Sequence, residues 1–323
     1  MKIFKRVVAL ATAATVLIAP SFAFPGVAFA SSEDASQILQ DAARNATGVT
    51  AMHMVGDVQG AVDVDPGPLA EVVAVEFELD FDLTFGFDLS TNIFKFYMQM
   101  VGAALEVSTG FEETVDIGMF MENETLLLNI DGEWMNFSDP AVAGEFATFG
   151  DLGPLFELSE EISADLYALL PAAFSDVEED GYYVIDVVIN NDNIAEIATA
   201  FVERFLDPEF IDEFLAVLGT EDLGLTEEEL AIVMEQLPML MELLESLDIE
   251  FEILYRSFID TETRNWQRYS FDINATVTLD MGFFGVLNVD IDILSNFEVI
   301  STDPDEIEWP EFDLDAIPAF PMP

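Results

Sequence analysis

Cysteine is missing from all 323 residues. That removes disulfides, thiolate metal sites, cysteine nucleophiles and thiol-linked lipid anchors together. Histidine is almost missing as well: His53 stands alone, so His-rich metal centres lack ligands and a Ser-His-Asp triad has only this one base to draw on. His53 lies between Met52 and Met54 on the opposite strand face and reads as a surface histidine. Positive charge is scarce, with 9 Lys and Arg against 64 Asp and Glu, and a chain so acidic repels nucleic acid and anionic membrane surfaces. Beyond the first thirty residues no stretch offers eighteen uninterrupted apolar residues, so no transmembrane helix is expected. Among 64 acids some close carboxylate pair is inevitable, which deprives such a pair of meaning as a glycosidase signature. The expectation is a protein that is not an enzyme and needs neither cofactor nor metal.

What the chain does contain begins with a secretory signal. Lys2, Lys5 and Arg6 form its charged start, Val7 to Ala19 its apolar segment, and Ala28-Phe29-Ala30 its small-x-small cleavage site, with Ser21-Phe22-Ala23 as the alternative. Cleavage near Ala30 leaves a secreted or cell-surface chain with 6 basic against 64 acidic residues, a net charge of −58. At molar salt the screening length falls to about 3 Å and self-repulsion fades, so the charge suits a halophilic setting; a calcium-rich role is the rival, since carboxylates bind hard cations. Apolar residues make up 51% of the chain, 29 of them Phe, and this excludes an acidic disordered tail.

The most informative stretch is Val75 to Leu89, VEFELDFDLTFGFDL, where every odd position is apolar and the even ones are mostly acidic. Only a strand puts the two sets on opposite faces. Before it, residues 33–47 place Ile38, Leu39, Ala42 and Ala43 on one helical face, and Val49 to Val64 reads as a strand ended by Asp65-Pro66-Gly67-Pro68. After it, alternation continues through Phe94, Phe96, Met98 and Met100, shifts parity around Gly102 in a way that suggests a bulge, and resumes in Val115 to Met121 and Leu126 to Ile130. This is an antiparallel meander. The middle of the chain turns helical: Leu152 to Leu170, then, after a strand from Gly181 to Ile189, an insertion over 192–247. The last helix of that insertion opens with the capping box Thr226-Glu227-Glu228-Glu229 and carries Met234, Leu237 and Met241 on one apolar stripe. Three more strands follow, and a Pro-rich acidic tail over 304–323, extended along the surface or disordered, ends the chain.

A three-residue hairpin loop at Thr261 to Thr263 sets Tyr255 opposite Tyr269, Arg256 opposite Arg268 and Phe258 opposite Trp266. That would gather Arg256, Trp266 and Arg268 on the acidic face as a candidate anion or partner patch, unless neighbouring carboxylates pair with the arginines. The pairs Asp63-x-Asp65, Asp80-x-Asp82 and Asp290-x-Asp292 fit no calcium loop and read as solvated face.

The motifs Asp131-Gly132-Glu133-Trp134, Glu179-Asp180-Gly181-Tyr182-Tyr183, Phe258-Ile259-Asp260-x-x-Thr263 and Ile307-x-x-Pro310, in this order of elements, resemble the lipoprotein-carrier fold of LolA and the mycobacterial LppX/LprG proteins, and most of all a related group of exported bacterial proteins. The resemblance implies an α+β fold, a long curved antiparallel sheet forming a half-barrel with helices on its concave side, as one domain over 31–303. It also implies an apolar cavity whose wall would be Phe77, Phe81, Phe85, Phe96, Met98 and Met119, with Met234, Leu237 and Met241 on the lid, and a lipid or other apolar small molecule as ligand. The competing expectation is a cell-surface structural or protein-interaction domain with a filled core.

Overall fold

Alternation of apolar and polar residues builds strands because successive side chains point to opposite sheet faces. In this chain the rule runs almost from end to end. The computed structural model describes residues 33–47, 49–67, 72–88, 93–122, 125–137, 170–194, 197, 248–280, 286–314 and 316–318. They form one helix, α1 (Glu33–Thr47), and eleven strands: β1 (Ala51–Asp65), β2 (Val73–Asp88), β3 (Ile93–Glu106), β4 (Phe111–Glu122), β5 (Thr125–Ile130), β6 (Glu133–Asn136), β7 (Ala172–Phe174), β8 (Tyr182–Asn190), β9 (Asp248–Asp260), β10 (Trp266–Asp280) and β11 (Val286–Ser301). The strands make a single curved sheet in the order β6-β5-β4-β3-β2-β1-β11-β10-β9-β8-β7, antiparallel throughout and unclosed at β6 and β7. The first six strands and the last five are two meanders, joined where β1 pairs with β11.

Register carries the apolar set of each strand onto one face. Odd positions of β2 pair with even positions of β1, and these with odd positions of β11. Across the join, bulky and small residues alternate by row. Tyr269, Phe297, Gly56, Phe81 and Met100 form one row; Phe271, Ser295, Val58, Leu79 and Gly102 the next; Ile273, Ile293, Gly60, Phe77 and Ala104 the third. Gly56 and Gly60 are the notches that let the large neighbours close over β1. A Cβ on Gly56 would collide with the Phe297 ring and the Asn296 carbonyl, and one on Gly60 would stand 2.8 Å from the Phe77 ring. With no side chain between them, Phe81 and Phe297 meet edge-on at 6.2 Å. Helix α1 buries Ala35, Ile38, Leu39, Ala42 and Ala43 in the same core and lies nearest β7 and β9, as its periodicity predicts.

Two expectations from the sequence are corrected. β3 carries no bulge at Gly102, because its pairing with β2 and β4 is unbroken; the apparent parity change arises because the inward positions become the small residues Gly102 and Ala104, and a Cβ at Gly102 would meet Leu79. The β9–β10 hairpin is two residues out of the expected register: Tyr255 pairs with Phe271, Arg256 with Ser270 and Phe258 with Arg268, while a bulge between Trp266 and Arg268 sets Trp266 opposite Ile259. The cause is Asp260, whose carboxylate accepts from Thr263 N, Thr263 Oγ1 and Glu262 N and so holds a longer loop than the three residues expected.

The described residues of the tail, 304–314 and 316–318, reach the sheet at several points. Ile307 is buried; Trp309 covers Gly86 on the acidic face of the sheet; Phe312 packs between Phe120 and Trp134 at 4.8 and 4.7 Å. Lys95 Nζ, held by Glu122 at 3.2 Å, lies over the Trp309 ring at 4.8 Å. The Asn136 amide on edge strand β6 donates to Pro318 O at 2.9 Å.

If the glycine notch organises the join, Gly56→Ala lowers stability by about 1–3 kcal/mol through overpacking. Urea unfolding measures this, and a loss smaller than that of an exposed Ala substitution would contradict it.

Candidate functional site

The apolar face has two regions of different packing. Around Tyr269 it is closely packed: Tyr255 and Phe271 rings lie 5.0 Å apart, Tyr269 and Phe271 5.8 Å, Tyr269 and Phe297 5.1 Å, and Phe81 completes the series across Gly56, while Ile253, Ile273 and Ile291 farther along β9 to β11 are half-buried. Phe77 and Phe81 belong here, exposed by only 7% and 8%. Met54 is fixed too, accepting a hydrogen bond at its sulfur from the Tyr269 hydroxyl at 2.7 Å.

Towards the β6 edge the same face loosens. Phe85 pairs with Phe96 and Met98 with Met119, and all four are half-buried. Farther along, Ile117 and Ile130 are 42% and 46% exposed. The register extends one row as Met54, Leu83, Met98, Met119, Leu128 and Met135, about 24 Å at the usual interstrand spacing of ~4.8 Å. Unbranched Met side chains adapt to irregular apolar shapes at little cost. Sequence reasoning therefore assembled four of its cavity-wall residues, Phe85, Phe96, Met98 and Met119, into one adaptable surface, and placed two more, Phe77 and Phe81, where the core is filled. It passed over Leu128 and Met135, which alternation alone aligns with them. Met234, Leu237 and Met241 lie outside the described residues.

The candidate patch on the acidic face does not assemble. Arg256 makes a two-pronged ion pair with Asp186, Nε to Oδ1 at 2.7 Å and Nη2 to Oδ2 at 2.8 Å, which raises its pKa further. Arg268 pairs with Glu179 and lies over the Phe258 ring at 4.4 Å. Trp266, shifted by the bulge, packs against the apolar core on the opposite face. His53 stays on the acidic face, 3.2 Å from Asp82. There Asp63 stands opposite Asp290, and with Asp292, Glu250 and Glu252 it borders a groove of about 720 Å³.

The open antiparallel sheet with a helix on its apolar face is the α+β half-barrel expected from the sequence. No family model and no curated protein matches the chain. Among solved structures it is similar to LprF from Mycobacterium bovis, at 15% identity and a TM-score of 0.30 over 81% of this chain and 92% of that one. It is also similar to a structure of lipid-protein interactions in lipovitellin, at 6% identity and a TM-score of 0.31 over 78% of this chain and 25% of that one. A DUF1329 family protein from Desulfovibrio piger shares 7% identity at a TM-score of 0.18, over 83% and 90%. At such scores the bearing on function comes from this chain's own geometry.

Burial holds the Tyr255 and Tyr269 hydroxyls well above their ordinary value of 10.0, because a phenolate there would lose its hydration. Both stay neutral in the folded state while the unfolded chain ionises. Their contribution to stability is complete below about pH 10 and falls above it by ~1.4 kcal/mol per pH unit for each tyrosine. An alkaline absorbance titration is expected to show part of the phenolate signal appearing only with unfolding; ionisation of all six tyrosines in the folded protein would contradict this packing.

Proposed function

We propose that this is an exported binding protein that holds a lipid or another apolar small molecule against the Phe85, Phe96, Met98 and Met119 surface and performs no chemistry on it. One observation carries the reading: the apolar face extends beyond the region nearest α1 and ends in side chains that are half-buried or exposed, on a row rich in methionine. Burying a 16-carbon chain there gains about 12 kcal/mol, at ~0.8 kcal/mol per methylene, before the costs of association. Polar contacts are not needed for affinity on that scale. The sequence of the first thirty residues supports export, and a place outside the cytoplasm belongs to the same proposal.

A second reading, a surface domain with a filled core and a protein partner, draws support from the aromatic series around Tyr255, Tyr269, Phe271 and Phe297, which packs that part of the face with side chains. Organic extraction of natively purified protein followed by mass spectrometry separates the two, together with uptake of a fluorescent fatty acid. A co-purifying lipid or probe binding supports the carrier; neither supports the filled domain. Met98→Asp and Met119→Asp are expected to weaken probe binding at least tenfold with the unfolding midpoint little changed, whereas Phe81→Asp in the closely packed part costs folding itself.

A further inference from the structure

Arginine is scarce in this chain, and acids compete for every guanidinium. Of the described Lys and Arg residues, Arg44 pairs with Asp41, Lys95 with Glu122, Arg256 with Asp186 and Arg268 with Glu179. Arg264 alone among them has no carboxylate partner. Its Nη1 is buried and finds no hydrogen-bond partner among the described residues, although a buried guanidinium N–H left unsatisfied costs more than a neutral one.

Arg264 is not loosely placed. Its backbone takes the left-handed region at φ 60°, its amide donates to Asp260 O at 3.0 Å, and the Asn45 side chain at the end of α1 donates to the carbonyls of Thr263 and Arg264 at 3.0 and 3.3 Å. The guanidinium lies over the Tyr183 ring at 4.4 Å. Tyr183 pairs with Ile259 and Ile259 with Trp266, and Tyr183 and Trp266 pack against the core of the apolar face. Among the described residues, the one cation without a counter-ion therefore stands on the apolar side of the sheet, beside the end of α1, and not on the acidic side.

We infer that Arg264 receives the oxyanion of an amphiphile, a carboxylate or phosphate headgroup, whose apolar part lies along the face of the sheet. This rests on the proposed function and adds the class of ligand. A guanidinium seated on an aromatic ring offers a planar fork of donors that matches an oxyanion two bonds at a time. Its partial burial strengthens that pairing relative to water. In a chain of net charge −55 an anionic ligand is repelled everywhere else, so a single unpaired Arg also fixes which end of the amphiphile enters where.

The test compares palmitate with 1-hexadecanol, which has the same chain and no charge, by displacement of a fluorescent fatty-alcohol probe from the full protein in 0.5 M KCl. The wild type is expected to bind palmitate about 10- to 100-fold more tightly than the alcohol. Arg264→Asn, which tolerates the left-handed backbone, is expected to abolish that preference and leave the alcohol's affinity as it was, and Arg264→Lys to restore part of it. Equal affinities for acid and alcohol in the wild type overturn the headgroup site while leaving apolar binding intact. Binding of inorganic phosphate as tight as that of palmitate also overturns it, in favour of a free-anion site. Failure of the probe and both ligands to bind overturns the carrier function and the headgroup site together.

Discussion

The structure depends on one pairing, that of β1 with β11. Each meander alone would leave a long edge strand with unpaired backbone groups and a one-sided apolar face. Joined at β1 and β11, they become a single sheet whose two remaining edges are the short strands β6 and β7. The join works because β1 gives up side-chain volume at Gly56 and Gly60, where Phe297, Phe81 and Phe77 crowd in from both sides. Glycine weakens a strand in isolation; here the loss is offset by aromatic contact across it.

That constraint divides the inner face. Around Tyr269, large rings pack closely and hold Met54 and the two buried tyrosines. Farther out, the aromatic series ends at β2, and strands β3 to β6 offer Met, Leu and Phe side chains in rows without the same closure. A rigid half that sets the curvature and an adaptable half that can repack around a guest are two consequences of one distribution of side-chain volume. The outer face has its own division: acids and polar residues over β9 to β11, and over β2 to β6 a small apolar seam covered by Trp309 and Phe312.

Strict alternation made the inward set of β2 legible from the sequence, together with α1 and most strands, because period two and period 3.6 leave different marks. Pairing partners were less legible. The β9–β10 register turned on a single carboxylate, Asp260, that caps a longer loop, and on a bulge that moves Trp266 to the other face; neither alters the apolar count of either strand. For the same reason the arginine patch dissolved, since Arg256 and Arg268 reach Asp186 and Glu179 on strand β8 and in the turn before it. The notch function of Gly56 and Gly60 is invisible without knowing that β1 lies between β2 and β11. The sequence sets Arg264 at the end of the β9–β10 hairpin but gives no sign that it faces the apolar side without a carboxylate, and the tail's seam is hidden by its acids.

The inner face has a closely packed part and a receptive part, and the methionines sample both. With ¹³C-methyl methionine and a nitroxide-labelled fatty acid, NMR line broadening reads each methyl separately. Broadening is expected to be strongest at Met98 and Met119 and weaker at Met54 and Met100, which are 2% and 1% exposed. Broadening of Met54 and Met100 ahead of the other two, or of no methionine at all, would contradict this division of the face.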